Sequence, residues 1–161
     1  MGQLKWSEQV MKKKVVFGHE GHKKLLDGAT ILAQAVRSTM GPSGHNVIID
    51  NENGSPYITK DGVTVARSIK LKDKLESVGA ELIKEVASKT NEMAGDGTTS
   101  STVLAHSILE NGFKQMSSGR SAIELKKGID LAKEEALSFL MGSAIKCRDA
   151  KDIKNVGTIS A

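Results

Sequence analysis

From about His19 to Met40, apolar residues return at helical spacing. Leu25, Ala29, Leu32 and Val36 form a stripe that Leu26, Ala33 and Met40 widen. Steps of three and four residues keep side chains on one helix face. Met40-Gly41-Pro42 is expected to stop this helix. Proline cannot continue it, and glycine suits the left-handed position after a helix end. Val47-Ile48-Ile49 and Tyr57-Ile58-Thr59 flank the turn-forming Asn51-Glu52-Asn53-Gly54-Ser55 and read as a β-hairpin. A lone hairpin is marginal in water, so this one must pack on the helices or offer an edge to another chain. Asp61 is placed to cap a short helix over 63–68. A longer helix over 74–93 carries Leu75, Val78, Leu82, Ile83, Val86 and Thr90 on one face, with Glu76, Glu81, Lys84, Glu85 and Lys89 on the other. The next, over 98–116, carries Val103, Leu104 and Ile108. Ser121 and Glu124 have the spacing of a capping box that opens a helix to about Leu140. Asp149 starts a last short helix with Asp152 in its first turn, and Gly157 is expected to break it. Val15-Val16-Phe17 could form a short strand. The pattern predicts a mainly α chain with one small β-hairpin.

The chain has 161 residues, enough for one domain with a real core. Aromatic residues are only 3%, so that core must come from aliphatic side chains and Met. The net charge of +4 resides in residues 1–24, which hold six lysines and two glutamates. The remainder balances 17 basic against 17 acidic residues. The body of the chain therefore lacks the basic face with interleaved aromatics that nucleic acid requires. Cys147 is the only cysteine, which excludes an internal disulfide and reads as a packed thiol in a reducing compartment. No apolar run is long enough to span a membrane. The start Met1-Gly2-Gln3-Leu4-Lys5-Trp6-Ser7 misplaces the hydroxyl of a myristoylation signal by one position. Glu8, Glu20 and the absence of arginine there argue against a mitochondrial transit segment. His19 and His22 share a helix face without the spacing of a metal site with the other histidines.

Ala94-Gly95-Asp96-Gly97-Thr98-Thr99-Ser100-Ser101-Thr102 joins two helical patterns. A helix N-terminus presents unpaired N–H groups and a positive dipole end. Gly95 and Gly97 allow close approach of the backbone, and Asp96 adds a hard oxygen suited to Mg²⁺. Two readings stand side by side here: a site for a metal-bound phosphate, or a capped helix after a glycine turn. No GxxxxGK[ST] and no strand-linked GxGxxG is present. Lys60-Asp61 reads as an ordinary turn or as a charge pair at the mouth of an anion site.

Ser38-Thr39-Met40-Gly41-Pro42, Asn46-Val47-Ile48-Ile49-Asp50 and Ile58-Thr59-Lys60-Asp61-Gly62-Val63-Thr64-Val65-Ala66-Arg67 resemble the start of a group I chaperonin subunit, the GroEL family. Lys84-Glu85-Val86-Ala87-Ser88-Lys89-Thr90-Asn91, Ala94-Gly95-Asp96-Gly97-Thr98-Thr99, Leu125-Lys126-Lys127-Gly128-Ile129-Asp130 and Val156-Gly157-Thr158-Ile159-Ser160-Ala161 continue it in order. The resemblance favours the phosphate reading. It implies a multihelical equatorial domain, N-terminal part only, over 17–145, preceded by an extension over 1–16. The start of an intermediate domain would follow over 146–161. By resemblance, Thr39, Met40, Gly41 and Pro42 line an ATP nucleotide, Lys60 lies near its phosphates, and Asp96 holds Mg²⁺. Gly97, Thr98, Thr99 and Ser100 would cradle phosphate. Asp61 would be the catalytic group of this segment, ordering the attacking water or a monovalent cation, K⁺. Phosphoryl transfer of this kind needs charge neutralisation and positioning more than covalent chemistry.

The resemblance also implies a cytoplasmic homo-oligomer, a heptameric and doubled ring. Its partners would be a co-chaperonin lid and non-native protein substrates, with neither nucleic acid nor membrane. The hairpin would pair with a neighbouring subunit. Ser100 replaces a usual Thr, Met40 a frequent Leu, and Lys146 a common proline near a hinge, where lysine loosens the backbone. Family members are several times longer, and their further catalytic aspartate has no counterpart here. The chain is therefore expected to be a fragment of an ATP-driven chaperone. The alternative is a natural truncation, a non-enzymatic paralogue acting as a ring-interaction module.

Overall fold

A computed structural model describes Val16, residues 18–50 and residues 54–160. Its elements in order are α1 (Gly18–Arg37), β1 (Val47–Ile49), β2 (Tyr57–Thr59), α2 (Gly62–Ser68), α3 (Lys74–Ala94), α4 (Thr98–Ser117), α5 (Ala122–Ser143) and α6 (Ala150–Ser160). The mainly helical class with one hairpin holds. The antiparallel pair sets Val47 opposite Thr59, Ile48 opposite Ile58 and Ile49 opposite Tyr57. Val47 and Ile49 pack toward the core, while Ile48 stands exposed between them, the alternation a pleated strand imposes. The hairpin's turn over 51–53, like Val15 and Phe17, lies outside the described residues; Val16 is in no strand.

α1 is the central helix. Its buried residues Ala29, Leu32 and Val36 meet Val65 and Ala66 of α2 and Ala80, Ile83 and Ala87 of α3. The predicted α1 stripe is thus the buried one. α1 and α3 run side by side in the same direction and meet at a reciprocal glycine contact. A Cβ on Gly28 would lie 2.8 Å from Glu76 Cα and closer still to its carbonyl oxygen. A Cβ on Gly79 would lie 2.9 Å from Leu25 Cα and closer still to that carbonyl. At the same end Lys24 bridges Asp73, 3.1 Å away, and Glu76. Hydrogen bonds to Glu76 and then Asp73 hold the Lys24 ammonium well above the usual lysine range. The group is exposed, so the bridge contributes little stability.

α4 packs antiparallel to α1 and against α3 as well, with Ala105 and Leu109 on the shared core. His22 stacks on Phe113 with centroids 5.1 Å apart, and Thr30 Oγ1 meets His106 Nε2 at 2.9 Å. α5 adjoins α4, and no described side chain of α5 or α6 is buried.

Several boundaries differ from expectation. α1 ends at Arg37, before Met40, because Thr39 N bonds Val36 O at 3.1 Å and Met40 N bonds Arg37 O at 3.0 Å, a tighter turn than the helix. Gly41 then takes the left-handed φ of 70° expected of it. Ser121 begins α5 but its side chain makes no cap bond, so the capping box does not close; at an exposed end water can serve those N–H groups. α5 runs on to Ser143, past Leu140. α6 opens as predicted, with Asp149 Oδ1 accepting from Lys151 N and Asp152 N at 2.9 Å each. It does not break at Gly157, since one interior glycine costs a helix only about 1 kcal/mol. Cys147 is exposed, not packed.

Candidate functional site

Antiparallel packing brings the C-terminal end of α1 beside the N-terminal end of α4. The turn after α1 carries Thr39, which is buried although polar. Thr39 Oγ1 donates to Val36 O at 2.8 Å and lies 3.4 Å from Thr99 Oγ1 in the first turn of α4. The turn is tight. A Cβ on Gly44 would run into the Thr39 carbonyl and stand 3.0 Å from Gly41 O. Met40, Gly41 and Pro42 form its exposed outer edge.

α2 supplies a third segment. Asp61 caps it, accepting from Val63 N at 3.3 Å, from Thr64 N at 2.9 Å and from the Thr64 hydroxyl. Partial burial pushes the Asp61 carboxyl up. The Thr64 and Val63 bonds and the Arg67 charge outweigh that and lower it on balance. Its folded pKa being depressed, Asp61 contributes stability that is present above the ordinary aspartate range and lost as pH falls through the lowered value. Asp61→Ala should cost about 1 kcal/mol in a urea titration, and Asp61→Asn, which keeps an acceptor, only a few tenths. Equal losses in the two would contradict the capping role. Among the described residues no ion pair joins Lys60 to Asp61, so the charge-pair reading of that turn is not formed. Lys60 is exposed at the end of β2.

Gly62 follows Asp61 and is buried against the start of α4. A Cβ there would overlap Thr99 Oγ1 and lie 3.6 Å from Thr98 Oγ1. Sequence reasoning passed over Gly62. Its signal was a glycine at a helix start directly after a capping aspartate.

The α3–α4 connection is built by two left-handed glycines, Gly95 at φ 68° and Gly97 at φ 77°. Asp96 between them is exposed and accepts from Gly97 N at 2.6 Å. Gly97 is the N-cap of α4 and has no side chain to cap with. The first intrahelical bond there is Ser101 N to Gly97 O, 2.9 Å. The N–H groups of Thr98, Thr99 and Ser100 therefore precede the helical ladder and have no side-chain cap from Gly97. Ser101 and Thr102 turn their hydroxyls back onto Thr98 O at 2.9 and 2.8 Å, which leaves Ser100 as the exposed hydroxyl of that turn.

The fold thus joins Thr39, Gly62, Thr98 and Thr99 directly. Met40 to Pro42, Lys60, Asp61, Asp96, Gly97 and Ser100 are attached to them by one to three residues of chain. One exposed carboxylate beside an uncapped helix start suits a Mg²⁺ that arrives bound to phosphates, since Mg²⁺ needs only one or two carboxylates when phosphate and water complete its shell. It does not suit a resident metal. Among the described residues no group of three metal-ligating side chains exists.

The family model for TCP-1/cpn60 chaperonins matches residues 32–161. The chain belongs to the TCP-1/cpn60 chaperonin family. A solved chaperonin, gp146 from the bacteriophage EL 2 (Pseudomonas aeruginosa), crystallised in presence of ATP-BeFx, is similar in sequence and in fold. The two are 35% identical with a TM-score of 0.72, over 83% of this chain and 23% of that one. The matched region begins on α1 and takes in every segment of the cluster around Thr99. This chain spans less than a quarter of the phage chaperonin's length. No helix among the described residues is long and apolar enough to cross a membrane.

Proposed function

We propose that this chaperonin chain binds Mg-ATP at the cluster of Thr39, Gly62, Asp96 and Thr98–Ser100. In a complete ring it would hydrolyse the nucleotide to drive encapsulation and folding of non-native proteins. The observation that carries this reading is the convergence of Thr39, Gly62 and Thr99. Three segments far apart in sequence meet at an uncapped helix start one residue after an exposed aspartate. The phage chaperonin's crystallisation with ATP-BeFx supports it. Within the reading, Asp96 holds Mg²⁺, the N–H groups of Thr98, Thr99 and Ser100 hold phosphate oxygens, and Gly97, whose own N–H is taken by Asp96, lets the phosphate come close to the backbone. Lys60 supplies positive charge, and the turn over Thr39, Met40, Gly41 and Pro42 lies along the nucleotide. Asp61 orders the attacking water or a K⁺ ion. Residues 17–145 then belong to the nucleotide-binding equatorial domain and 146–161 to the intermediate domain, in a cytoplasmic, doubled heptameric ring with a co-chaperonin lid.

Titration calorimetry of the 161-residue chain is expected to give saturable Mg-ATP binding that disappears with EDTA. Steady-state turnover should be negligible, because the family's further catalytic aspartate has no counterpart in these residues. No binding, or ready turnover by this chain, contradicts the reading.

A second reading is a non-enzymatic module that joins chaperonin rings. It is favoured by the exposed apolar residues Ile48 and Ile58 on the hairpin and Leu137, Phe139, Leu140 and Met141 on α5. It predicts recovery of the chain with full-length rings and no nucleotide dependence of that association.

A further inference from the structure

Thr99 Oγ1 sits between two neighbours that leave it little freedom. On one side is Gly62, whose Cα faces α4 so closely that a Cβ would overlap this oxygen and also touch Val36 Cγ1 at 3.4 Å. On the other is Thr39 Oγ1 at 3.4 Å. The proton of Thr39 is already committed, because its 2.8 Å partner, Val36 O, is a carbonyl and can only accept. Within this pair Thr39 can therefore only accept, and Thr99 is the one able to donate, across a separation longer than an ordinary O–H···O bond. Thr39 is buried and Thr99 partly so.

We propose that Gly62 and Thr39 are positioning residues for the Thr99 hydroxyl: Gly62 leaves the space it occupies, and Thr39 draws its proton into the protein. This rests on the nucleotide reading above for its functional consequence, not for its geometry. The hydroxyl of Thr99 then presents lone pairs, not a proton, to the site. Phosphate oxygens, which only accept, are met by the Thr99 backbone N–H. The hydroxyl also keeps the first turn of α4 docked on the turn after α1, so the N–H groups of that turn are held in place before a ligand arrives.

The test compares Thr39→Val, which keeps the shape and removes the acceptor, Thr39→Ser, which restores it, and Gly62→Ala, which fills the space. All are made in the 161-residue chain. Three-bond couplings in NMR spectra report the Thr99 χ1 rotamer, and calorimetry reports affinity for Mg-ADP. Wild type and Thr39→Ser should show one Thr99 rotamer. Thr39→Val should show rotamer averaging and bind Mg-ADP roughly two- to threefold more weakly, the low end of one hydrogen bond's weight, as suits so long a contact. Gly62→Ala should displace the Thr99 rotamer; if that variant does not fold, the threonine pair decides alone. An unchanged Thr99 rotamer in Thr39→Val overturns the proposal. Failure of the wild-type chain to bind Mg-ADP would instead sink the nucleotide reading, and the rotamer comparison would still decide the positioning.

Discussion

Gly79→Ala is expected to lower the melting temperature of the chain by roughly 6–12 °C. The reason is the crossing of α1 and α3. A Cβ at Gly79 would stand 2.9 Å from Leu25 Cα and nearer still to the Leu25 carbonyl. Both are backbone atoms inside a helix, so neither can swing aside as a side-chain tip would. The helices must separate, and the contacts of Ala29, Leu32, Ala80 and Ile83 along the same seam loosen together. Overpacking a well-filled interior costs about 1–3 kcal/mol and occasionally more, and a backbone clash belongs at the upper end. For a chain of this size each kcal/mol moves the melting temperature by about 2–4 °C. Gly28→Ala should behave alike, since its Cβ meets Glu76 in the mirror-image contact. The sign is informative because alanine is the better helix former by about 1 kcal/mol. Gly128→Ala, in exposed α5 with nothing within 4 Å of the new Cβ, is therefore expected to stabilise slightly. Thermal unfolding followed by circular dichroism separates the cases. Equal gains at 79 and 128 would mean that the two helices do not cross this closely.

Asp96→Ala is expected to remove Mg²⁺-dependent nucleotide binding by the chain, and Mg²⁺-dependent ATPase activity in an assembled ring, while leaving the fold in place. Altering groups that merely support a metal ligand already costs roughly 10–100-fold in affinity, so loss of a direct ligand should at least match that. The fold should survive because Asp96 is exposed, lies outside the core, and sits in a turn carried by the left-handed Gly95 and Gly97; the variant loses only surface contacts such as the bond from Gly97 N. Calorimetry with and without Mg²⁺ reports the first effect and circular dichroism the second. Unchanged Mg²⁺-dependent binding in the variant would remove Asp96 from the site.

Much of this was legible along the chain, and the misses share a physical cause. The α1 stripe was found because Leu32 and Val36, which are fully buried, share their face with Ala29 and the half-buried Leu25. On α3 the large residues misled. Val78 and Leu82 are about half exposed, while the buried face is Gly79, Ala80, Ile83 and Ala87. Periodicity of hydrophobic bulk marks a face that fills space and does not mark one that admits close approach. On α4, Leu104 and Ile108 stand exposed, and the fully buried residue is Thr102, whose hydroxyl is satisfied within its own helix by Thr98 O. A polar residue that meets its own hydrogen-bonding need locally carries no signal in a hydrophobicity pattern. The site segments were each visible as glycine, hydroxyl and carboxylate clusters, and the resemblance grouped them. What joins them, the Thr39–Thr99 pair and the space at Gly62, depends on antiparallel helix packing and has no expression in local sequence. Asp61 was expected to cap a short helix and does so, which leaves its proposed second role to be tested against the first.

The central claim is that one nucleotide site is assembled from the turn after α1, the start of α2 and the start of α4. The most direct measurement is a two-dimensional NMR titration of the isotope-labelled chain with Mg-ADP, read residue by residue at the backbone amides. The account predicts saturable shifts that cluster at Thr39 to Gly41, at Asp61 and Gly62, and at Asp96 to Ser100, with α5 and α6 unmoved. Absence of shifts, or shifts centred on another face of the helices, would contradict it.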